Sequence, residues 1–454
     1  MADTIIKYIA RFLLEAETPL FVGSGNSTLL KDALVQKDAN GFPMIPGTSL
    51  AGVLRQSFSK LADKGDLAAI FGDSKGGDSG TGSLLKVSPA LMMLDLQTVS
   101  EGLILDNSWD ALKLQFEQLP VRQHVRMNDK GVAEKNGLFD NEVIFKGTRF
   151  IFELELTDLS GSFEKDWQEI IEIINSPEFR IGAGTRNGYG GLKVLKVQNL
   201  KLDLSRLMKA YLELSPSFNN IKWDADIRDL DPKSENKSKT HYRLELTPDP
   251  FFIFGSGYGD EDVDKTPLEE EVILYTSKGI KFEKQTVVPG SSIKGALTHR
   301  VAYHYNKRPE RWANNEAPKI GNENKAVATL FGKAGKDIKE PSAGKVYIND
   351  IFLTSEEVKS DKILNHVAID RFTGGALEGA LFSEKVSYLK KEVLQIDVFL
   401  DDQVEKEYVE VLETALMDIC KGLLPLGGLT TKGHGIFTGS LLENEIEIYN
   451  YSDS

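Results

Sequence analysis

The sequence predicts an α+β protein built from two tandem copies of one ferredoxin-like unit. Three observations carry this. A glycine loop, "IGAGTRNGYGGLK" (Ile181–Lys193), recurs as "GGLTTKGHGIFTG" (Gly427–Gly439), with Gly182, Thr185, Gly188 and Gly190 falling on Gly427, Thr430, Gly433 and Gly435. Four further blocks recur in the same order. "TPLFVGSGN" returns as "DPFFIFGSGYG" and "PMIPGTSLAGVLRQSF" as "TVVPGSSIKGALTHRVAY". "IFGDSKGGDSGTGSLLKVSPA" returns as "LFGKAGKDIKEPSAGKVYIND", and "VRMNDKGVAEKNGLFDNEVIFKGTRFIFELEL" as "VAIDRFTGGALEGALFSEKVSYLKKEVLQIDVFL". Five ordered blocks mark an internal duplication. Within each copy the periodicities run strand, helix, strands, helix, glycine turn, strand.

Each element has its own reason. Residues 5–16 and 241–247 alternate apolar and polar positions, as half-buried strands do. A helix is expected just after "PG-[TS]-S", capped by Ser49 or Ser292, with Leu50, Val53, Leu54 and Phe58 on its apolar face. Between "GSG" and "PG" the run "ANG" signals a hairpin, so a projecting two-stranded arm is expected there, longer in the second copy. Residues 148–157 and 391–400 alternate again, and amphipathic helices lead into each glycine loop. "GGLKVLKVQNLKLDL" then returns as a strand. Helix before glycine loop before strand reverses the order of a nucleotide-binding loop, which excludes an NTP- or NAD-binding reading.

The segment "SPSFNNIKWDADIRDLDPKSENKSKTHY" is rich in Asp, Asn, Lys and Ser and has no sustained apolar period. It predicts a linker over 216–240, between domains at 1–215 and 241–454. A chain of 454 residues with 41% hydrophobic and 27% charged residues suits a multidomain globular protein. One cysteine, Cys420, excludes an internal disulfide and a cysteine-cluster metal site, and fits a reducing, cytoplasmic compartment. No apolar run predicts a membrane span, and the first residues lack the pattern of a signal peptide. The net charge of −14 counts against nucleic acid as a partner, although Arg180, Arg186 and Lys432 make the glycine loops locally basic.

The motifs admit bland and functional readings. The glycine loops are either tight positive-φ turns or anion-binding concavities close to a phosphate backbone. The "PG-[TS]-S" starts are either packed helix ends or phosphate sites, to which Arg55 and Lys294 add charge. Asp32 and Asp38 lie on the first arm, and Asp260, Glu261, Asp262 and Asp264 on the second; an acidic cluster is either a solvated edge or a hard-cation site. Six histidines with no His-x-x-x-His pair disfavour a zinc hydrolase, and no Gly-x-Ser-x-Gly elbow supports an esterase.

Taken together, "GSG", "PG-[ST]-S-[LI]-[AK]-G-x-L", "LFG", "IDRFTGGALEGALF" and the closing glycine loop resemble the RAMP superfamily of CRISPR-associated proteins. The nearest resemblance is to the Cas seven-type backbone subunits of type III complexes; two fused copies resemble type III-D effectors. The first copy departs from the pattern, with "VRMNDKGVAEKNGLFD" in place of the ID-R-x-T-G core. The resemblance implies RRM-like cores, each with a protruding β-hairpin thumb, and a guide crRNA, target RNA and other effector subunits as partners. It implies Mg²⁺- or Mn²⁺-dependent cleavage of target RNA supported by an aspartate near each thumb. "DALVQKD" places Asp32 in that position; in the second copy Asp264 is the candidate, with Asp262 and Glu269 as rivals. Ser49, Arg55, Gly184, Arg186, Gly188, Gly190, Ser292, Lys294, Gly427, Gly428, Lys432, Gly433 and Gly435 are the implied RNA contacts. A non-catalytic scaffold, and a guide-processing endoribonuclease, are the alternatives.

Overall fold

The computed structural model describes residues 5–28, 31–61, 66–73, 80–127, 133–176, 179–221, 223, 239–309, 317–333, 338–390, 393–401 and 403–453. The first half runs β1 (Ile6–Ala16), β2 (Met44–Ile45), α1 (Gly47–Phe58), α2 (Leu67–Phe71), β3 (Leu85–Val87), β4 (Ala90–Met92), α3 (Asp110–Glu117), β5 (Val121–Met127), β6 (Ala133–Glu142), β7 (Arg149–Asp158), α4 (Glu164–Asn175), β8 (Leu192–Asp203) and α5 (Leu204–Glu213). The second runs β9 (Lys239–Pro248), β10 (Glu269–Thr276), β11 (Gly279–Val288), α6 (Gly290–Asn306), α7 (Lys325–Phe331), β12 (Gly332–Lys333), β13 (Ser342–Ala343), β14 (Val346–Ile348), β15 (Ile351–Leu353), β16 (Val358–Ile369), β17 (Ala376–Leu389), β18 (Leu394–Asp401), α8 (Lys406–Cys420), β19 (Phe437–Glu443) and β20 (Ile446–Asn450).

The architecture is mixed α/β with antiparallel sheets. The first sheet runs β2–β4–β7–β1–β8 and the second β14–β18–β9–β19–β20. In both, the strand that opens the half lies between the two that follow later in the chain. Alternation sends Tyr8, Ala10, Phe12 and Leu14 of β1 to one face, where Phe12 stacks on its partner Phe152 at 5.0 Å. The apolar stripe of α4, Trp167, Ile170, Ile171 and Ile174, closes that face. Tyr242, Leu244 and Leu246 of β9 pack in the same way beneath α6 and α8, whose Ile293, Leu297, Leu412 and Leu416 are fully buried.

Three expectations need correction. Ser49 and Ser292 do not cap their helices: each helix starts three residues earlier than expected, after Pro46 or Pro289, with no side-chain cap. Proline fixes φ and suits a helix start, so both serines fall inside the first turn. The first arm is not a two-stranded hairpin. The Asp38 carboxylate does fold the "ANG" turn by accepting the N–H groups of Asn40 and Phe42, each at 2.9 Å. Beyond it, however, only the isolated bridges Gly23–Val35 and Lys37–Pro43 form among the described residues, and β2 joins the main sheet. In the second half the arm does pair, as β10–β11, but it folds back onto the first half instead of projecting. Ile273 enters the first hydrophobic core, Tyr275 and Phe282 pack against it, and the Ile273 N–H donates to Lys146 O at 2.8 Å. The exposed hairpins lie elsewhere, at β5–β6 and β16–β17.

Most of the expected linker falls outside the described residues. Phe218, Ile221 and Trp223 are described, and they pack on a first-half cluster containing Leu13 and Ile151. Among the described residues no helix is long and apolar enough to cross a membrane.

Candidate nucleic-acid interface

The duplication places the same arrangement at the base of each exposed hairpin. In the first half His124 on β5 stacks on Phe139 on β6 at 5.0 Å, and its Nε2 lies 2.8 Å from the Tyr189 hydroxyl of the glycine loop. In the second, His366 on β16 stacks on Phe382 on β17 at 4.7 Å, and its Nε2 lies 2.8 Å from Glu384 Oε1. His434, in the Tyr189 position of the second glycine loop, meets the same oxygen at 2.9 Å. Hairpin and glycine loop are therefore tied together twice, with different chemistry. Burial, and then the nearby Arg122 cation, push the His124 pKa below the ordinary imidazole value, so its ring is neutral at pH 7.

The aspartate candidates bind matching places on these hairpins from the loops that follow β1 and β9. The Asp32 N–H donates to Asp140 Oδ1 at 2.8 Å, and the Asp140 N–H returns to Asp32 Oδ2 at 3.1 Å. Asp264 does the same with Ser383: its N–H donates to Ser383 O at 3.1 Å and its Oδ2 accepts the Ser383 N–H at 2.8 Å. Asp140 follows Phe139, and Ser383 follows Phe382. Both aspartates are exposed. Of the rivals, Asp262 pairs with Lys385 at 3.6 Å, and Glu269 lies on β10, away from this contact. Asp38 is a turn residue, tied to Asn40, Phe42 and the Ser100 hydroxyl.

Two carboxylates side by side, Asp32 and Asp140, each leave one oxygen uncommitted among the described hydrogen bonds. That donor set fits Mg²⁺, which binds one or two carboxylates and keeps its remaining places for water and phosphate oxygen. At Asp264 a single carboxylate stands beside the Ser383 hydroxyl, a sparser set for the same ion.

The glycine loops divide by cause. Gly182 and Gly427 share a φ of +92°, and a Cβ there would sit 2.3 and 2.5 Å from Phe21 O and Ile253 O, which are equivalent carbonyls. Gly190 and Gly435 press on Ile181 O and Leu426 O in the same manner, and Gly184 on the Tyr189 ring. These four backbone approaches are packing, the bland reading. Gly188 and Gly433 differ: the first abuts the Asp350 carboxylate of the second half, while the second, at φ +91°, faces open space. Gly428 has room for a Cβ, with nothing nearer than 3.6 Å.

The predicted cations split likewise. Arg55 is exposed on α1. Lys432 is exposed too, its Nζ 3.8 Å from the centre of the Phe382 ring. Arg186 is turned inward: it donates to Gly344 O at 2.5 Å and to the Tyr347 hydroxyl at 3.2 Å, both in the second half. Lys294 donates to Asn187 Oδ1 at 3.1 Å, and burial followed by the Arg186 charge lowers its pKa. Ser49 is half-buried, and Ser292 is exposed at the start of α6.

A family model of the RAMP superfamily matches residues 13–193 and again 249–438. The chain belongs to the RAMP superfamily. The two matched regions agree with a duplicated RAMP unit, and membership makes the protein a CRISPR-associated RNA-binding module. No curated protein matches the chain in sequence.

The RAMP halves meet through residues that local motifs did not reveal. Arg122, 5% exposed, donates Nη2 to Glu270 Oε2 at 2.8 Å and also pairs with Glu270 Oε1 and Asp350. Burial lifts the Asp350 carboxyl above its ordinary value, against the opposing pull of Arg122 and of the Gly290 N–H. His124, Tyr189, Phe139, Asp140 and Glu384 were likewise missed; the one available signal was His434 standing where the first loop has tyrosine.

Proposed function

We propose that this RAMP protein is a double backbone subunit of a type III effector complex, binding guide RNA and cleaving the paired target RNA with Mg²⁺ or Mn²⁺. The observation that carries the reading is the matched setting of Asp32 and Asp264, each locked to the base of an exposed hairpin beside a glycine loop. The strand order supports a ferredoxin-like core in each half: numbering the four main strands by chain order, both sheets read second, third, first, fourth. β5–β6 and β16–β17 suit the role of thumbs. Phe372, at the tip of the second, is 100% exposed, with Ile369 and Leu377 exposed near it. An apolar wedge of this kind unstacks a duplex.

In this reading the exposed Arg55 and Lys432 take guide phosphates by charge, without base preference, while Arg186 and Lys294 tie the first glycine loop to the second half. The hairpins part the guide–target duplex and leave a target step at each hairpin base, beside Asp32 or Asp264. Opening lets the 2′-hydroxyl of the target strand swing into line with the leaving 5′-oxygen, a gain of positioning. Asp32, with Asp140 beside it, and Asp264 would hold the ion, which when bound neutralises charge developing on the phosphate. The same exposed carboxylates position more than they abstract protons.

The deciding experiment purifies the complex, sequences its RNA, and assays complementary target RNA with Asp32→Ala and Asp264→Ala chains. Loss of distinct cuts with retained RNA supports the reading. Retained RNA with unaltered cutting in the double variant leaves a scaffold whose complex carries its nuclease elsewhere.

A further inference from the structure

We propose that His366, Glu384 and His434 form a site for a transition-metal ion of the zinc class, separate from the Mg²⁺ chemistry at the aspartates, which pins the β16–β17 hairpin to the second glycine loop. The two imidazole Nε2 atoms converge on one carboxylate oxygen at 2.8 and 2.9 Å, and the donor atoms of the three residues lie within 4.8 Å of one another. Tetrahedral bonds to zinc place donors roughly 3.3 Å apart, so each contact need open by only about half an ångström. Two imidazoles and a carboxylate favour zinc-like ions over Mg²⁺, which prefers an all-oxygen shell.

Two further features point to a cation as the partner of this cluster. Glu384 is 0% exposed, yet its Oε2 has no hydrogen-bond partner. A buried carboxylate oxygen left unpaired is costly, and its place in a native fold asks for an explanation. Among the described residues no Lys or Arg pairs with Glu384; its salt-bridge partners are the two histidines. The side chain of His366 is 27% exposed, which leaves an open side for water as a fourth ligand and a route of entry.

The first half supplies an internal control. Strand register sets His124 opposite Phe139 as His366 is set opposite Phe382, so Asn141 stands at the Glu384 position. Tyr189 stands at the His434 position. Two of the three donors are absent there, and a direct hydrogen bond between His124 and Tyr189 makes the same tie without metal. The second half replaces that bond with a metal-binding donor set.

The test uses the full chain, freed of any affinity tag, stripped with chelator, and then loaded with Zn²⁺ or Co²⁺ alone. We expect a single ion per chain by elemental analysis, with the strong visible bands of four-coordinate Co²⁺, and no competition from excess Mg²⁺. Glu384→Gln and His434→Tyr should weaken Co²⁺ binding by at least about 100-fold, the upper loss seen for mere outer-shell partners. His434→Tyr installs the first half's own solution, so its fold is expected to persist, checked by a cooperative melt. His124→Ala should leave Co²⁺ binding unchanged, and target cleavage in Mg²⁺ is read separately, so failure here is distinct from failure of the cleavage reading. A wild-type chain that takes up no more Zn²⁺ or Co²⁺ than the His366→Ala/His434→Ala double variant overturns the proposal and leaves a hydrogen-bonded triad.

Discussion

The Arg122 guanidinium of the first half forks onto the Glu270 carboxylate of the second, and its third nitrogen pairs with Asp350. Asp350 in turn accepts the Gly290 N–H at 2.8 Å, at the first residue of α6. One buried cation thus links the base of the first hairpin to the helix start of the second half. A buried pair contributes modestly as a whole, but stranding one partner is severe. Arg122→Ala leaves two buried carboxylates without their cation and should cost about 3–5 kcal/mol. The sign with pH follows from Asp350. Its folded pKa is already raised by burial, and losing Arg122 raises it further. A raised carboxyl gains folded-state stability on protonation, so the variant's deficit should shrink as pH falls from neutral toward the ordinary carboxylate range. Denaturant melts of both proteins at several pH values test this; a deficit that grows on acidification contradicts the arrangement.

The β10–β11 hairpin makes a second joint, and it bears on whether either half stands alone. Ile273 is buried in the first core, and the Tyr275 hydroxyl donates to Met93 O at 2.8 Å and accepts the Arg149 N–H at 3.2 Å. Ile273→Ala should cost about 2–5 kcal/mol, as core truncations do, and Tyr275→Phe about 1 kcal/mol for its hydrogen bonds. A fragment ending at residue 223 should be poorly soluble and should recover on co-expression with residues 239–454. Gel filtration and melting of the fragment alone decide it, and a cooperatively folded monomer counts against the shared core.

The two classes of cation should behave differently toward RNA. Arg55→Ala and Lys432→Ala remove exposed charge, so each should lower the salt slope of single-stranded RNA binding by about 0.7 for every phosphate it no longer neutralises. Arg186→Ala instead breaks bonds to Gly344 and Tyr347, and should lower the melting temperature as well as affinity. Titrations at several salt concentrations, alongside melts, separate the two. An unchanged slope for the Arg55→Ala/Lys432→Ala pair removes both from the RNA path.

Local pattern carried the strands, the helices and the duplication, because alternation, helical period and repeated glycines are properties of short windows. β1 and β9 fall where residues 5–16 and 241–247 alternate. Contacts between distant segments were invisible for the converse reason. Arg122 lies 148 residues from Glu270 and 228 from Asp350, and no spacing rule joins them. The histidine and glutamate donors carry no His-x-x-x-His pattern because they come from two strands and a loop. The capping expectation failed on a three-residue shift that the preceding proline sets. The hairpin expectation failed because a turn signal at Asn40–Gly41 specifies the turn and not the length of the strands beside it. Asp32 was aligned by its neighbours, whereas Asp264 was one acid among several until the Ser383 contact matched it to Asp32.

The matched aspartates yield the sharpest prediction. If each hairpin base carries its own cleavage site, target RNA should be cut at two separately spaced positions per chain. Asp32→Ala should suppress one by at least about 100-fold, the order expected when a group stabilising developing charge is removed, with guide and target binding retained. Asp264→Ala should suppress the other. Asp140→Asn should slow the first cut only, since it removes the charge beside Asp32 while its backbone N–H, which holds Asp32 Oδ2, persists. Ser383→Ala should do less at the second, because that serine's N–H, 2.8 Å from Asp264 Oδ2, also persists and no carboxylate is removed. EDTA should silence both cuts, and Mg²⁺ alone should restore both, even with the His366–Glu384–His434 site left without zinc. Time courses on end-labelled target resolve the cuts individually. Cleavage that survives the Asp32→Ala/Asp264→Ala double variant in EDTA assigns the nuclease to another subunit. Loss of both cuts from either single variant indicates one active site serving two positions, and the symmetry of the hairpins is then structural alone.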